Sequence, residues 1–203
     1  MERIDAGVEK LFGYVADGLA TATYAFVRHD RELAASLLDR EPIIDALHQK
    51  IEDDAQNLLI ERRDLTNAEI RYLVSVLRIV PELERSADLV EHIALRTGVL
   101  SANLPDDVRG LITQMGDLTV AMWRDAANAW TTRAAGVVNA LRVRDEAIDD
   151  LHVQLTERLS AIPLTVSEAI ELGLVARFFE RLGDHAVNVT ERLGFMRALP
   201  AAG

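Results

Sequence analysis

Apolar residues recur every three or four positions along most of this chain, the spacing that lines one face of an α-helix. The first such run covers residues 4–27 and breaks at His29-Asp30. A second spans residues 31–62, with a candidate interruption at Glu41-Pro42, because proline suits the first turn of a helix and disrupts its interior. A turn at Arg63-Asp64-Leu65 follows. Thr66, three residues before Glu69, then predicts a capping box that opens a third helix reaching Leu95 and ending by Gly98. Within it Leu73, Leu77 and Val80 form an apolar stripe that Glu84 continues, so this carboxylate is expected to face packed structure.

The same scheme then repeats. Residues 101–107, with Pro105, read as a linker, and helical spacing covers residues 107–130 and 133–159. A turn around Ile162-Pro163-Leu164 precedes Thr165 and Glu168, a second capping box, and the last helix continues to about Ala198. Short turns between long helices make antiparallel neighbours. The expected fold is therefore all-α: two tandem three-helix bundles, residues 1–100 and 101–203.

Polar residues sharpen the repeat. Glu84-Arg85-Ser86-Ala87-Asp88 returns as Glu180-Arg181-Leu182-Gly183-Asp184, and each is matched upstream by an acidic pair, Glu41/Asp45 and Asp145/Asp149. Residues four apart share a helix face. In an antiparallel hairpin, positions equidistant from the turn lie level, which sets Glu41 beside Asp88 and Asp45 beside Glu84. By the same rule Asp145 meets Asp184 and Asp149 meets Glu180. In a chain with 33 acidic residues one such pair is ordinarily a solvated face. Four pairs in two mirrored groups are not, because converging carboxylates repel unless protonated, paired with arginine or neutralised by a cation. Ala169, Gly173 and Ala176 precede Glu180 on its stripe, and these small residues, with Gly183, are expected to leave room for close approach. The second site is accordingly expected to be the tighter one. Oxygen donors suit iron, manganese or magnesium, and zinc is compatible. His48 and His152 each follow a motif aspartate by three residues, as hydrogen-bond partners or as nitrogen ligands.

Charge and composition narrow the function. A net charge of −11 argues against nucleic acid as a partner. The lack of cysteine excludes disulfides and thiolate metal sites. No uncharged apolar run is long enough to span a bilayer, and the first residues lack the architecture of an export signal, so a cytoplasmic location is expected. No nucleophile–base set, phosphate loop or nucleotide fingerprint is present, which favours a binding protein without catalysis. The alternative in another class is a carboxylate-bridged dimetal oxidase, ferroxidase or metal-storage protein, for which Asp45/His48 and Asp149/His152 are imperfect counterparts of the Glu-x-x-His pattern. A metal-free helical scaffold is the third reading.

Both hairpins resemble the PhoU family. The resemblance rests on Glu180-Arg181-Leu182-Gly183-Asp184-His185-Ala186-Val187-Asn188, on its looser copy from Glu84 to His92, and on Asp145-Glu146-Ala147-Ile148-Asp149. It covers nearly the whole chain. It implies a cytoplasmic, dimeric accessory protein that acts with a phosphate transporter's ATPase subunit and a membrane sensor kinase, damping uptake and the phosphate-starvation response. It also implies iron or zinc on the family's acidic motifs, which fall here on Glu41, Asp45, Glu84, Asp88, Asp145, Asp149, Glu180 and Asp184. His92 departs from the second copy, which has Asn188, and Pro42 directly follows Glu41.

Overall fold

The structure is a computed structural model that describes residues 1–99, 104–134 and 136–197. Among these residues every regular element is a helix. The chain runs α1 (Glu2–Arg28), α2 (Arg31–Leu38), α3 (Glu41–Glu61), α4 (Asn67–Arg96), α5 (Asp106–Thr132), α6 (Val137–Ser160) and α7 (Val166–Arg197). Of the expected linker, residues 101–103 lie outside the described residues, and Asp106 and Asp107 already belong to α5. Ala198, the expected end of the last helix, also lies outside them.

Local chemistry accounts for the ends of these helices. Thr66 accepts from the Glu69 N–H while the Glu69 carboxylate accepts from the Thr66 N–H, and Thr165 and Glu168 repeat the pair. Both capping boxes thus satisfy backbone donors that the first turn leaves free. The segment expected over residues 31–62 is two helices. Asp30 caps α2 through the Leu33 N–H, and α3 restarts with Pro42 in its first turn, where a missing N–H costs nothing. Residue 133 was expected to open a helix. Instead Arg133 closes α5 in the left-handed conformation at φ 54°, and α6 begins after Gly136 at φ 87°. Its guanidinium explains the difference: it lies over the Trp130 ring and donates to Asp5 of α1. The repeat extends to these ends, since α1 and α5 are each 27 residues long and α1 also closes on a left-handed residue, His29.

One hydrophobic core runs through both halves. At its centre α1 packs on α5: Phe12 lies 6.2 Å from both Trp123 and Trp130, and a Cβ on Gly116 would stand 2.3 Å from a Thr23 methyl. The fully buried Trp123 donates to the Leu182 carbonyl of α7. The halves also meet along α4 and α7. There Arg96 reaches Glu171 at 3.0 Å and covers the Phe178 ring, while Arg192 reaches back to Glu82 at 3.3 Å. With α1, α4, α5 and α7 at the centre of this core, α3 and α6 pack on its outside as the outer arms of two hairpins, each burying one stripe.

Candidate metal centres

The acidic positions follow from helix phase. In α6 the buried residues Leu141, Ile148, Leu151 and Leu155 turn inward, and Asp145 sits at the edge of that stripe, half-buried. On α7, Leu182 and Phe179 are buried, with Glu180 half-buried beside them and Asp184 exposed. Asp145 lies directly against α7. A Cβ on Gly183 would stand 2.5 Å from its Oδ1, so only glycine leaves space for the carboxylate there. Burial, then the charges of Asp184, Asp149 and Glu180, push the Asp145 carboxyl up to about 6. Asp149 is also raised, by burial and then by Glu180 and Asp184, with His152 opposing. The strongest neighbours, Asp184 for Asp145 and Glu180 for Asp149, are those the hairpin register sets level. Glu180 is held by Arg177 and, at 3.3 Å, by His152 Nδ1.

The first hairpin gathers its carboxylates more loosely. Glu41 is the exposed first residue of α3, Asp45 is exposed, and Glu84 and Asp88 are half-buried on α4. Burial, Asp88 and Asp45 push Glu84 up, against a His48 that lowers it. Glu91 joins this group: burial, Glu41, Asp88 and Asp45 raise it in turn. Glu41, Asp45, Asp88 and Glu91 line one cavity of about 30 Å³, closed by Tyr14, Leu37 and Ala87. Glu91 was not among the expected site residues. Its signal was present, since it stands three positions after Asp88 on the same helix face. The second copy has Val187 there, which hid it. Gly173, expected to permit close approach, has no neighbouring atom within 4 Å of an added Cβ, so Gly183 alone has that role. His92 turns to the Phe178 ring, 5.5 Å away.

The structure therefore brings together Asp145, Asp149, Glu180 and Asp184 in one group and Glu41, Asp45, Glu84 and Asp88 in another. Among the described residues no three His, Asp or Glu side chains already converge as a coordination shell. The donor chemistry nevertheless suits a hard cation, and each group contains a buried polar atom with a long ion-pair contact but no well-formed hydrogen bond: Glu180 Oε2, 3.3 Å from His152 Nδ1, in one and His48 Nε2, 3.4 Å from Glu52, in the other.

Fold and site together define an internally duplicated helical protein with an acidic hairpin in each half. The PhoU domain model matches this chain twice, over residues 8–97 and 112–193, and the chain belongs to that family. It is similar to a phosphate-specific transport system accessory protein PhoU homolog of Caulobacter vibrioides, 28% identical over 96% of this chain and 86% of that one. It is 33% identical to PhoU homolog 1 of Mycobacterium tuberculosis, over 86% of this chain and 80% of the relative. The crystal structure of PhoU from Pseudomonas aeruginosa superposes with a TM-score of 0.89 at 21% identity, covering 96% of this chain and 95% of that one. A phosphate transport system regulatory protein PhoU from Streptococcus pneumoniae gives 0.87, also at 21% identity, over 97% and 94%. These two likenesses show the shared fold. No helix among the described residues is long and apolar enough to cross a membrane.

Proposed function

We propose that this protein is a regulator of phosphate transport that works in the cytoplasm as a homodimer and carries out no chemistry of its own. It holds a phosphate transporter and its sensor kinase in the repressed state through contacts with the transporter's ATPase subunit and with the kinase. The observation that carries this reading is the near-complete match to relatives named as phosphate-specific transport accessory proteins. The charge of −11 supports docking on basic patches of those partners.

A cation, iron or zinc before manganese or magnesium, binds at each acidic hairpin in this reading. Asp145, Asp149, Glu180 and Asp184 hold one, and Glu41, Asp45, Glu84 and Asp88 hold the other. His152 and His48 stand next to these sets, oriented by Glu180 and Glu52. When bound, the cation supplies positive charge that offsets the mutual repulsion of the carboxylates. The residues then organise each acidic face for partner contact.

Deleting the gene tests the proposal. Phosphate-responsive genes should stay expressed in phosphate-replete medium, and tagged protein should co-purify with the ATPase subunit or the kinase. A normal response together with no such partner would refute it. Oxygen consumption on Fe(II) loading would instead favour the dimetal oxidase.

A further inference from the structure

On the flank where α1 and α5 meet lies a groove of about 530 Å³ whose lining includes none of the hairpin carboxylates. Its walls carry Arg28 and Tyr24 of α1 and Arg109, Thr113, Asp117 and Arg124 of α5. We propose that this groove is an oxyanion-binding site for phosphoryl groups, whether free or carried on a small organic molecule. The inference is independent of the regulatory function proposed above.

Charge is the first argument. Three arginines face a single aspartate, in a chain that is strongly acidic elsewhere. Arg133, Arg144, Arg158, Arg177 and Arg192 are each ion-paired with a carboxylate, whereas Arg28, Arg109 and Arg124 form no ion pair among the described residues. Guanidinium groups suit tetrahedral oxyanions because their forked donors meet two oxygens at once.

The donor inventory is the second argument. The Thr23 and Thr113 hydroxyls are spent on the Leu19 and Arg109 carbonyls, so the guanidinium groups are the main donors left to the groove. Arg109 is anchored by one bond to the Leu104 carbonyl, yet its Nε is buried without an acceptor. With Nη2 on that carbonyl and Nε buried, the terminal Nη1 is the donor left to meet an anion oxygen in the groove. Arg28 is steadied over the Tyr24 ring at 5.8 Å.

Size and lining suit a small molecule. The volume falls in the range of roughly 300–1,000 Å³ usual for such sites. Ala20, Val27 and Val120 add an apolar wall beside the arginines, against which an organic group can pack.

The test is calorimetric titration of the full chain, stripped with a chelator, with inorganic phosphate, pyrophosphate and ATP at constant ionic strength. Saturable binding of at least one anion is expected. Loss of one charge-assisted contact in R109Q should weaken it at least about tenfold. R28Q/R124Q, altered at exposed positions, should weaken it without disturbing the circular dichroism spectrum. D117N, which removes the one negative charge, should tighten it. Phosphate binding as tightly as ATP would identify the inorganic ion as the ligand, and ATP alone would identify an organic phosphate. The proposal is overturned if no anion binds, or if a folded R28Q/R109Q/R124Q variant binds as well as the parent.

Discussion

In the second hairpin the Asp145 carboxylate lies against the backbone of Gly183, while in the first the corresponding places hold Glu41 and Ala87, the longer acid opposite the larger residue. The first hairpin also has the extra helix α2 beside it, and Glu41 stands in the exposed first turn of α3, whereas Asp145 lies well inside α6. The first hairpin's charge spreads over five carboxylates, four of them lining a small cavity and Glu84 beside it. In the second, burial and then the charges of Asp184, Asp149 and Glu180 push Asp145 up to about 6. Two copies of one motif have thus diverged in compactness. Crowded carboxylates are the least stable without a counter-charge and gain most from a cation, so the second hairpin should be the tighter site.

The largest effect should come from removing one site while leaving the other. Glu180→Ala/Asp184→Ala should abolish cation binding at the second hairpin and spare the first, and Asp45→Ala/Glu84→Ala should do the reverse. Elemental analysis of protein purified without a histidine tag reads both. Unchanged metal content in the first variant would sink the comparison. Stripping the parent protein with a chelator should lower its Tm, because a ligand at a hundredfold excess over its Kd stabilises by about 2.7 kcal/mol.

Gly183→Ala asks whether compactness is the cause. The new methyl must displace Asp145 Oδ1 from its place 2.5 Å away, so second-site affinity should fall about tenfold, the equivalent of about 1.4 kcal/mol. Stability without metal should hold or rise, since alanine is favoured over glycine within a helix by about 1 kcal/mol. Separate titrations of metal affinity and thermal unfolding would detect this opposition. Equal losses of both would mean that Gly183 matters for packing alone.

The two hairpins should also differ in pH dependence. A carboxyl raised in the folded state binds more protons there than in the unfolded chain. Between its unfolded value of 3.8 and about 6, Asp145 therefore makes unfolding easier as pH rises. Metal-free protein should be more stable at pH 4.5 than at pH 6.5 as far as this group is concerned, and Asp145→Asn should flatten that slope. Glu84 and Glu91 are raised from 4.5 and act in the same direction. Urea unfolding across this interval, with each variant, separates their contributions.

Much of this was legible in the sequence, for local reasons. The capping boxes and hairpin registers depend on spacings of three and four residues and on turn position, and both can be counted along the chain. The break before Pro42 was legible too, but not that Asp30 would cap a separate short helix before it. Which faces of α1 and α5 pair is a tertiary matter: the contact of Gly116 with Thr23 joins segments far apart in sequence. Gly173 and Gly183 look alike as small residues one helix face apart, and only the position of α6 tells them apart. Glu91 escaped because the repeat was read by what its copies share, and this carboxylate belongs to one copy.

That unshared carboxylate permits the finest test. Glu91→Val gives the first hairpin the residue its copy has at Val187 and removes one of five neighbouring charges. Exposed like charges four residues apart on a helix cost about 0.2–0.5 kcal/mol, and the half-buried Glu91 should sit near the upper end. The metal-free variant should therefore be slightly more stable than the parent, with a small rise in Tm that disappears at low pH, where Glu91 is already protonated. Second-site affinity should not change. At the first site the outcome distinguishes a ligand from a bystander. A bystander's loss weakens cation binding only through the lost long-range attraction, and added salt should erase that difference. A coordinating Glu91 should cost at least tenfold in affinity at any ionic strength, and the first hairpin would then be a five-carboxylate site of its own and not a loosened copy of the second.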